Sequence, residues 1–88
     1  MDPATRLRRL HFRAWHRGTR EADYLVGGFF DRYGETWNDA DLAWFETILD
    51  EQDVDILSWA MGRETPPAHL DGPQMALLKK LDYIPLPR

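Results

Sequence analysis

Apolar residues recur along this chain at intervals of three and four positions, which is the spacing of one face of an α-helix. The pattern divides into five segments separated by Gly, Pro or capping residues, and nothing alternates with period two for long enough to indicate a strand. The sequence therefore predicts an all-α fold, a compact five-helix bundle that forms a single domain over residues 1–88. We expect a flexible C-terminal tail over about residues 83–88, because Pro85 and Pro87 forbid a continuing helix.

The first two helices have clear boundary signals. Asp2 followed by Pro3 predicts a helix start, and Gly18 predicts its end in the left-handed conformation. A second helix is predicted from about Thr19 to Tyr33. Gly27 and Gly28 in its middle each cost about 1 kcal/mol relative to Ala, so this helix should be weak, bent or closely packed there. The predicted apolar faces are Leu7, Leu10 and Ala14 in the first helix and Ala22, Leu25, Val26, Phe29, Phe30 and Tyr33 in the second.

Three further helices follow at shorter spacing. Asn38 is predicted to cap the third helix, Asp53 to cap a short fourth helix that Gly62 ends, and Pro73 to open the last. Residues 63–72, which contain Pro66 and Pro67, are predicted to be a loop. The residues expected to face the core are Leu42, Phe45, Ile48 and Leu49 in the third helix, Val54, Leu57, Ala60 and Met61 in the fourth, and Met75, Leu78 and Leu81 in the fifth, together with Trp59 and Phe29.

The net charge of -4 conceals an asymmetry along the chain. Residues 1–20 contain six arginines against Asp2 as the one acidic residue, whereas the segment from Glu35 to Asp55 contains eight carboxylates and no Lys or Arg. A basic end and an acidic middle suit a protein that is steered onto a charged partner. Solvated helix faces that keep a small protein in solution account for the charges equally well.

Composition limits the setting in which this protein acts. The absence of cysteine excludes disulfides and thiolate metal sites. No apolar run approaches the roughly 18 residues needed to cross a bilayer, so we expect no membrane partner. The first residues lack the apolar core of a signal peptide, from which we expect a bacterial cytoplasmic location. We also expect a monomer when the protein is free.

No catalytic or metal-binding pattern is recognisable. There is no nucleophile with a partner base, no phosphate-binding glycine loop and no ligand spacing typical of a metal site. His11 and His16 are five residues apart, so on one helix they point about 140° from each other. His69 is isolated in a predicted loop. We therefore expect neither an enzyme nor a bound cofactor or metal.

Nucleic-acid binding is the main alternative. The arginine-rich first helix carries Phe12 and Trp15 as aromatic neighbours, and small helical bundles include nucleic-acid-binding modules. However, the sequence pI of about 5.2 and the acidic middle segment would repel phosphate except along one edge. We therefore expect no nucleic-acid partner, although this alternative function remains open.

The segment Arg17-Gly18-Thr19-Arg20-Glu21 lies where the first two helices meet. Gly18 has a structural explanation as a helix stop, and Glu21 has one as a first-turn carboxylate that complements the helix dipole. Neither explanation accounts for so many charged side chains at one exposed bend. Glycine also permits another backbone to approach closely, and guanidinium groups offer forked donors to carboxylates and carbonyls. From the residues alone, a plain helix junction and a docking corner are both open.

This segment resembles the signature of the SdhE-type FAD assembly factors. Their Arg-Gly-x-x-Glu motif follows an arginine-rich first helix, and Arg17, Gly18 and Glu21 occupy its positions. The pair Phe29-Phe30 follows eight residues after Glu21, and residues 53–59 resemble the family's Asp-x-Asp-Leu-x-x-Trp segment. The similarity extends from about residue 4 to residue 82. The Gly27-Gly28 pair, the Pro-Pro loop and the tail depart from the pattern, which leaves the rigidity of the second helix and the role of the tail open.

The resemblance implies a chaperone-like assembly factor rather than an enzyme. Such a protein binds the flavoprotein subunit of succinate dehydrogenase, and by extension that of fumarate reductase, and promotes covalent attachment of FAD to it. The flavin chemistry then belongs to the partner, so this chain needs no cofactor of its own. The expected partner-binding residues are Arg17, Gly18 and Glu21, with Arg9, Arg13, Arg20 and Tyr24 around them.

Overall fold

The computed structural model describes residues 2–84, and in that range it contains five α-helices and no strand. The helices are α1 (Pro3–Trp15), α2 (Arg20–Tyr33), α3 (Asp39–Leu49), α4 (Asp53–Ala60) and α5 (Pro73–Lys80). Two 3₁₀ turns, Gly34–Thr36 and Ala68–Leu70, interrupt the longer connections. The predicted all-α, five-helix fold is confirmed.

Side-chain caps start the first three helices where the sequence predicts. Asp2 accepts a hydrogen bond from the Ala4 N–H (2.8 Å) ahead of Pro3, and Thr19 accepts one from the Ala22 N–H at the start of α2. Asn38 and Asp41 form a reciprocal capping box at the start of α3. These bonds satisfy backbone donors that have no partner inside their own helix. Local chemistry therefore defines where the first three helices begin.

The start and the orientation of α4 differ from expectation. Gln52 is the N-cap and makes no side-chain capping bond, whereas Asp53 is the first helical residue. Val54 and Met61 were expected in the core but are 64% and 48% exposed. Ile56 is buried instead, together with Trp59 and Ala60, which were expected in the core. In so short a helix both faces carry apolar residues, and burying the large Trp59 and Ile56 side chains removes more area from water.

Aromatic rings fill the centre of the bundle around Phe29, which is fully buried. The rings within about 6 Å of it, measured between centroids, are those of Tyr33, Trp37, Trp44, Phe45 and Tyr83. Tyr83 was expected to begin a flexible tail, but it is buried and its hydroxyl donates to the Leu78 carbonyl (2.7 Å). The packed chain thus extends to Tyr83; residues 85–88 lie outside the described residues.

The glycine pair of α2 permits close packing on two sides. A Cβ atom on Gly27 would overlap the indole ring of Trp15, and one on Gly28 would lie 3.0 Å from the Tyr83 carbonyl oxygen. Of the three outcomes predicted for this pair, close packing is the one observed. Any larger residue at Gly27 would push α1 away from α2. Gly27 therefore sets how closely α1 approaches α2, and Gly28 sets how closely the segment after α5 approaches α2.

Two core tryptophans, Trp37 buried and Trp44 partly buried, differ in one hydrogen bond and provide a paired test of the core. Trp44 Nε1 donates to the Leu70 carbonyl (2.9 Å), whereas the buried Trp37 Nε1 has no partner among residues 2–84. Trp44→Phe leaves that carbonyl unpaired, so we expect it to lower the free energy of unfolding by about 1 kcal/mol more than Trp37→Phe does. Urea denaturation of both variants measures the difference, and equal losses would contradict it.

Tyr83 should make the fold sensitive to alkaline pH. Burial, with a smaller contribution from nearby Asp82, raises the pKa of the Tyr83 hydroxyl. The raised value in the folded state means that this contribution to stability is complete below the unfolded pKa of about 10 and is lost as pH rises above it. We expect the free energy of unfolding to fall more steeply above about pH 10 in the wild type than in Tyr83→Phe. Parallel curves for the two proteins would rule out this role.

Candidate partner-binding corner

The bend between α1 and α2, here called the docking corner, consists of residues 17–21. Its backbone is held from inside α2, because the Arg17 N–H donates to the Asp23 carboxylate (2.6 Å) and Thr19 caps the helix. Gly18 has a φ of +116°, in the left-handed region predicted for it, two residues beyond the α1 C-cap His16. The chain thus turns from one helix into the next within a few residues.

Gly18 leaves an open surface at the apex of the docking corner. It is exposed, and no heavy atom of residues 2–84 lies within 4 Å of the position that its Cβ would occupy. Within residues 2–84, the backbone N–H groups from Gly18 to Glu21 also have no hydrogen-bond acceptor. Donors of this kind at the start of a helix are available to outside groups. Another protein's backbone could therefore approach this point closely.

Arg17 is turned into the protein rather than out of it. Its side chain is only 11% exposed. Nε donates to Asp53 (2.7 Å), and the two terminal nitrogens donate to the backbone carbonyls of Leu49 (2.6 Å) and Glu51 (2.7 Å). All three acceptors lie where α3 ends and α4 begins. The guanidinium therefore joins the docking corner to the α3–α4 turn.

The remaining charged side chains of the docking corner face solvent. Arg20 and Glu21 are exposed, and neither forms an ion pair with any residue in the range 2–84. Tyr24 is 39% exposed, and its ring meets the Trp15 ring edge-on at 6.2 Å between centroids. A shallow depression beside Gly18 is lined by Trp15, His16, Gly18, Thr19, Arg20, Asp23 and Tyr24. One surface thus combines both charges with an aromatic ring.

The arginines of α1 divide into paired and unpaired groups. Arg13 contacts Asp50 (2.8 Å), and Arg6 contacts Glu46. Arg8 and Arg9 are exposed without an ion pair in the described part of the chain. Since internal carboxylates already oppose several of the cations, less positive charge remains for phosphate than the sequence implies. The structure adds no support for the nucleic-acid alternative.

Phe12 and His16 lie on the exposed side of α1 and its C-cap, beside the docking corner, but they were not among the expected binding residues. Phe12 is 61% exposed, and its ring stacks on His16 at 3.9 Å between centroids. His16 Nδ1 donates to the Phe12 carbonyl (2.6 Å), which fixes the pair. The sequence does contain a signal: Phe12 lies two positions from both Leu10 and Ala14, so on a helix it points about 160° away from each of these buried residues. An aromatic residue on the helix face opposite the buried residues indicates an exposed aromatic surface.

The described residues were also compared with two kinds of site, a metal-binding cluster and a membrane-spanning helix. No group of three or more His, Asp and Glu side chains between residues 2 and 84 lies close enough to hold a metal ion. No helix in that range is both long enough and apolar enough to cross a membrane. The geometry of the corner, with its open glycine and exposed charges, is suited to contact with another macromolecule.

The fold and the docking corner define a small helical protein with an exposed, charged bend in which a glycine leaves room for another backbone. Residues 8–82 match the model of a family described as flavinator of succinate dehydrogenase, and the chain belongs to that family. It is 45% identical over 60 residues to the FAD assembly factor SdhE of Acetobacter pasteurianus, with 68% of this chain and 55% of the relative aligned. The expected resemblance to SdhE-type FAD assembly factors is thereby confirmed.

Two further relatives extend the comparison. The FAD assembly factor SdhE of Pectobacterium atrosepticum is 36% identical over 58 residues, which cover 66% of this chain and 65% of the relative. Succinate dehydrogenase assembly factor 2, mitochondrial, of Mycosarcoma maydis is 38% identical over 64 residues, which cover 73% of this chain and 27% of the relative. The aligned part of this chain therefore corresponds to between about a quarter and two thirds of the length of these relatives.

Double-mutant cycles with Trp15 distinguish the structural roles of two glycines, the exposed Gly18 and the closely packed Gly27. Because a Cβ on Gly27 would overlap the indole, we expect Gly27→Ala to cost at least about 1 kcal/mol less in a Trp15→Leu background. Gly18→Ala should cost about 1–2 kcal/mol from its positive φ, and that cost should change by less than about 0.5 kcal/mol in the same background. Urea unfolding of the six proteins measures both couplings. A large coupling for Gly18 would mean that the corner is not open.

Proposed function

We propose that this protein is an assembly factor that binds the flavoprotein subunit of succinate dehydrogenase and promotes covalent attachment of FAD to that subunit. Family membership and the names of the relatives support this function. The single structural observation that carries it is the exposed Gly18, with open space at its Cβ position, beside the exposed side chains of Arg20 and Glu21. We further propose that the flavoprotein of fumarate reductase is a second client, and that the free factor is a monomer in the bacterial cytoplasm.

In this proposal the factor is not an enzyme. The bond between a histidine and the 8α-methyl group of FAD forms within the flavoprotein, so the chemistry belongs to the flavin and to the partner's own site. The factor binds one arrangement of the partner's domains more tightly than the others, and it thereby raises the population in which that histidine is correctly placed. The factor itself needs a complementary surface and no cofactor.

The docking corner supplies the central contact of that surface. Gly18 lets the partner's backbone approach, and the N–H groups of residues 18–21, which have no acceptor within residues 2–84, donate to acceptors that the partner brings. Arg20 and Glu21 form charged contacts on either side, with Tyr24 as the adjoining aromatic anchor. Interfaces concentrate binding energy in such central aromatic and arginine residues.

The stacked Phe12 and His16 extend the contact along α1. An exposed phenylalanine that is held in place by a stacked ring loses little side-chain entropy on binding. Arg9 and Arg13 lie on the same helix and flank this pair, Arg9 with an exposed positive charge and Arg13 as one half of an ion pair with Asp50. The proposed interface therefore continues from the bend along the solvent side of α1.

Coexpression with the flavoprotein in a host lacking its own assembly factor tests the function. Covalent flavin on the flavoprotein is read by in-gel fluorescence, and binding is measured by titration with the purified subunit. We expect Gly18→Arg to abolish stimulation because its side chain occupies the partner's place. Glu21→Ala should weaken binding by at least about fivefold, the loss typical of an important interface contact.

The chain offers matched controls near the end of α4. Gly62 also has a positive φ, of +74°, and open space around it, and Glu64 is also an exposed carboxylate. Gly62→Arg and Glu64→Ala should therefore leave binding and flavinylation near wild-type levels. If folded Gly18→Arg supports normal flavinylation, or if the controls lose as much as the corner variants, the site assignment is wrong. If the wild type neither binds nor stimulates the subunit, the proposed function is wrong.

A further inference from the structure

Arg17 occupies an unusual position for a charged residue at an exposed bend. The backbone N–H of Arg17 is held by Asp23 of α2, and its guanidinium is held by three acceptors at the α3–α4 turn. Both ends of the residue are therefore fixed by different parts of the fold. The charge is mostly enclosed, whereas Gly18, Arg20 and Glu21 around it face solvent.

The α3–α4 turn lacks a cation of its own. Helix α3 has no basic residue in its last turn, so the partial negative charge of its final carbonyls has no local counterpart. The Arg17 guanidinium supplies that charge from 32 residues away, by donating to the Leu49 carbonyl at the end of α3. It also pairs with Asp53 in the first turn of α4. One side chain thus completes both helix ends.

Shape explains why this position requires arginine. The guanidinium is a planar fork whose donors point in fixed directions, so it can reach Leu49, Glu51 and Asp53 at once. A lysine ammonium concentrates its charge at one point and cannot hold three acceptors spread along a turn. Its replacement by lysine keeps the charge but loses the connection between the docking corner and the turn.

We propose that Arg17 is a positioning residue: it fixes the docking corner against the α3–α4 turn and supports partner binding without itself contacting the partner. This inference rests on the proposed function. It assigns direct contact to Gly18, Arg20 and Glu21, and it makes Asp53, a residue outside the corner, necessary for tight binding. The motif Arg-Gly-x-x-Glu then combines one internal anchor with an external contact.

The test measures binding of the flavoprotein subunit by Arg17→Met, Arg17→Lys and Asp53→Ala. All three should bind at least about fivefold more weakly than wild type, and Lys should not rescue the loss. The double variant Arg17→Met/Asp53→Ala should be no more than about twofold weaker than either single variant, because both remove the same connection. Asp55→Ala is the matched control, since Asp55 also lies in the first turn of α4 but makes no bond to Arg17; it should bind normally.

Salt dependence separates positioning from direct contact. A direct ionic contact contributes to the slope of log Kd against log salt concentration, whereas an enclosed positioning residue does not. We therefore expect Arg17→Met to keep the wild-type slope and Arg20→Met to lower it. If Asp53→Ala binds like wild type while Arg17→Met lowers the slope as Arg20→Met does, Arg17 is a direct contact and the inference is overturned.

Amide chemical shifts of the free protein test the anchoring independently of any partner. Asp53→Ala should move the Gly18 and Glu21 amide signals, Arg17→Met should move that of Glu21, which is not its chain neighbour, and Asp55→Ala should move neither. Unmoved signals in the first two variants would overturn the inference. If the wild type fails to bind the flavoprotein, the proposed function fails and the binding role of Arg17 fails with it, whereas these shifts still decide whether Arg17 holds the corner.

Discussion

The close approach of α1 to α2 is the constraint on which the surface of this protein depends. It is possible because Gly27 has no side chain where the Trp15 indole rests. Asp31, one turn further along α2, accepts a hydrogen bond from Trp15 Nε1 (3.2 Å) and lies 3.3 Å from His11. Packing and polar contacts along this seam fix the distance between the two helices. The bend that joins them is then short, and its apex has to project into solvent.

The rest of the bundle packs against the inner side of the α1–α2 pair. Phe29, from the inner side of α2, is surrounded by aromatic rings from α3, from the connection before it and from the segment after α5. Arg17 adds a polar connection on a different side, between the bend and the α3–α4 turn. An apolar core and an enclosed charge therefore support the same corner. A surface supported in this way meets a partner already ordered, which reduces the entropy lost on binding.

Much of the fold could be predicted because its signals are local. A capping side chain followed by a periodic apolar run identifies the starts of α1 and α3, and Phe29 and Trp59 are large enough to be placed in the core from sequence. The buried face of helix α4 was harder to predict, because apolar residues lie on both of its faces. Whether Val54 or Ile56 is buried depends on how the whole chain packs and not on the local sequence. Asp53 was expected to cap that helix, but its carboxylate is engaged by Arg17, a contact between residues 36 positions apart.

The position of the bend was predictable from sequence, but the internal contacts of its residues were not. The motif marks the bend, and glycine at a positive φ is a local requirement that sequence reveals. Two of the three acceptors that enclose Arg17 are backbone carbonyls, of Leu49 and Glu51, and a carbonyl has no side-chain identity that a sequence could display. The exposure of Phe12, in contrast, could be predicted, since its position in the helical repeat places it opposite the buried residues of α1.

The span of the Arg17 contacts also orders events during synthesis and folding. The guanidinium cannot find its acceptors until the chain has been made as far as residue 53 and the α3–α4 turn has formed, so α1 and α2 alone do not provide the finished corner. Contacts of such sequence separation form late, after the local helices. The corner consequently reports on the state of most of the chain: a partially folded molecule lacks the organised surface, and only the completed fold presents it.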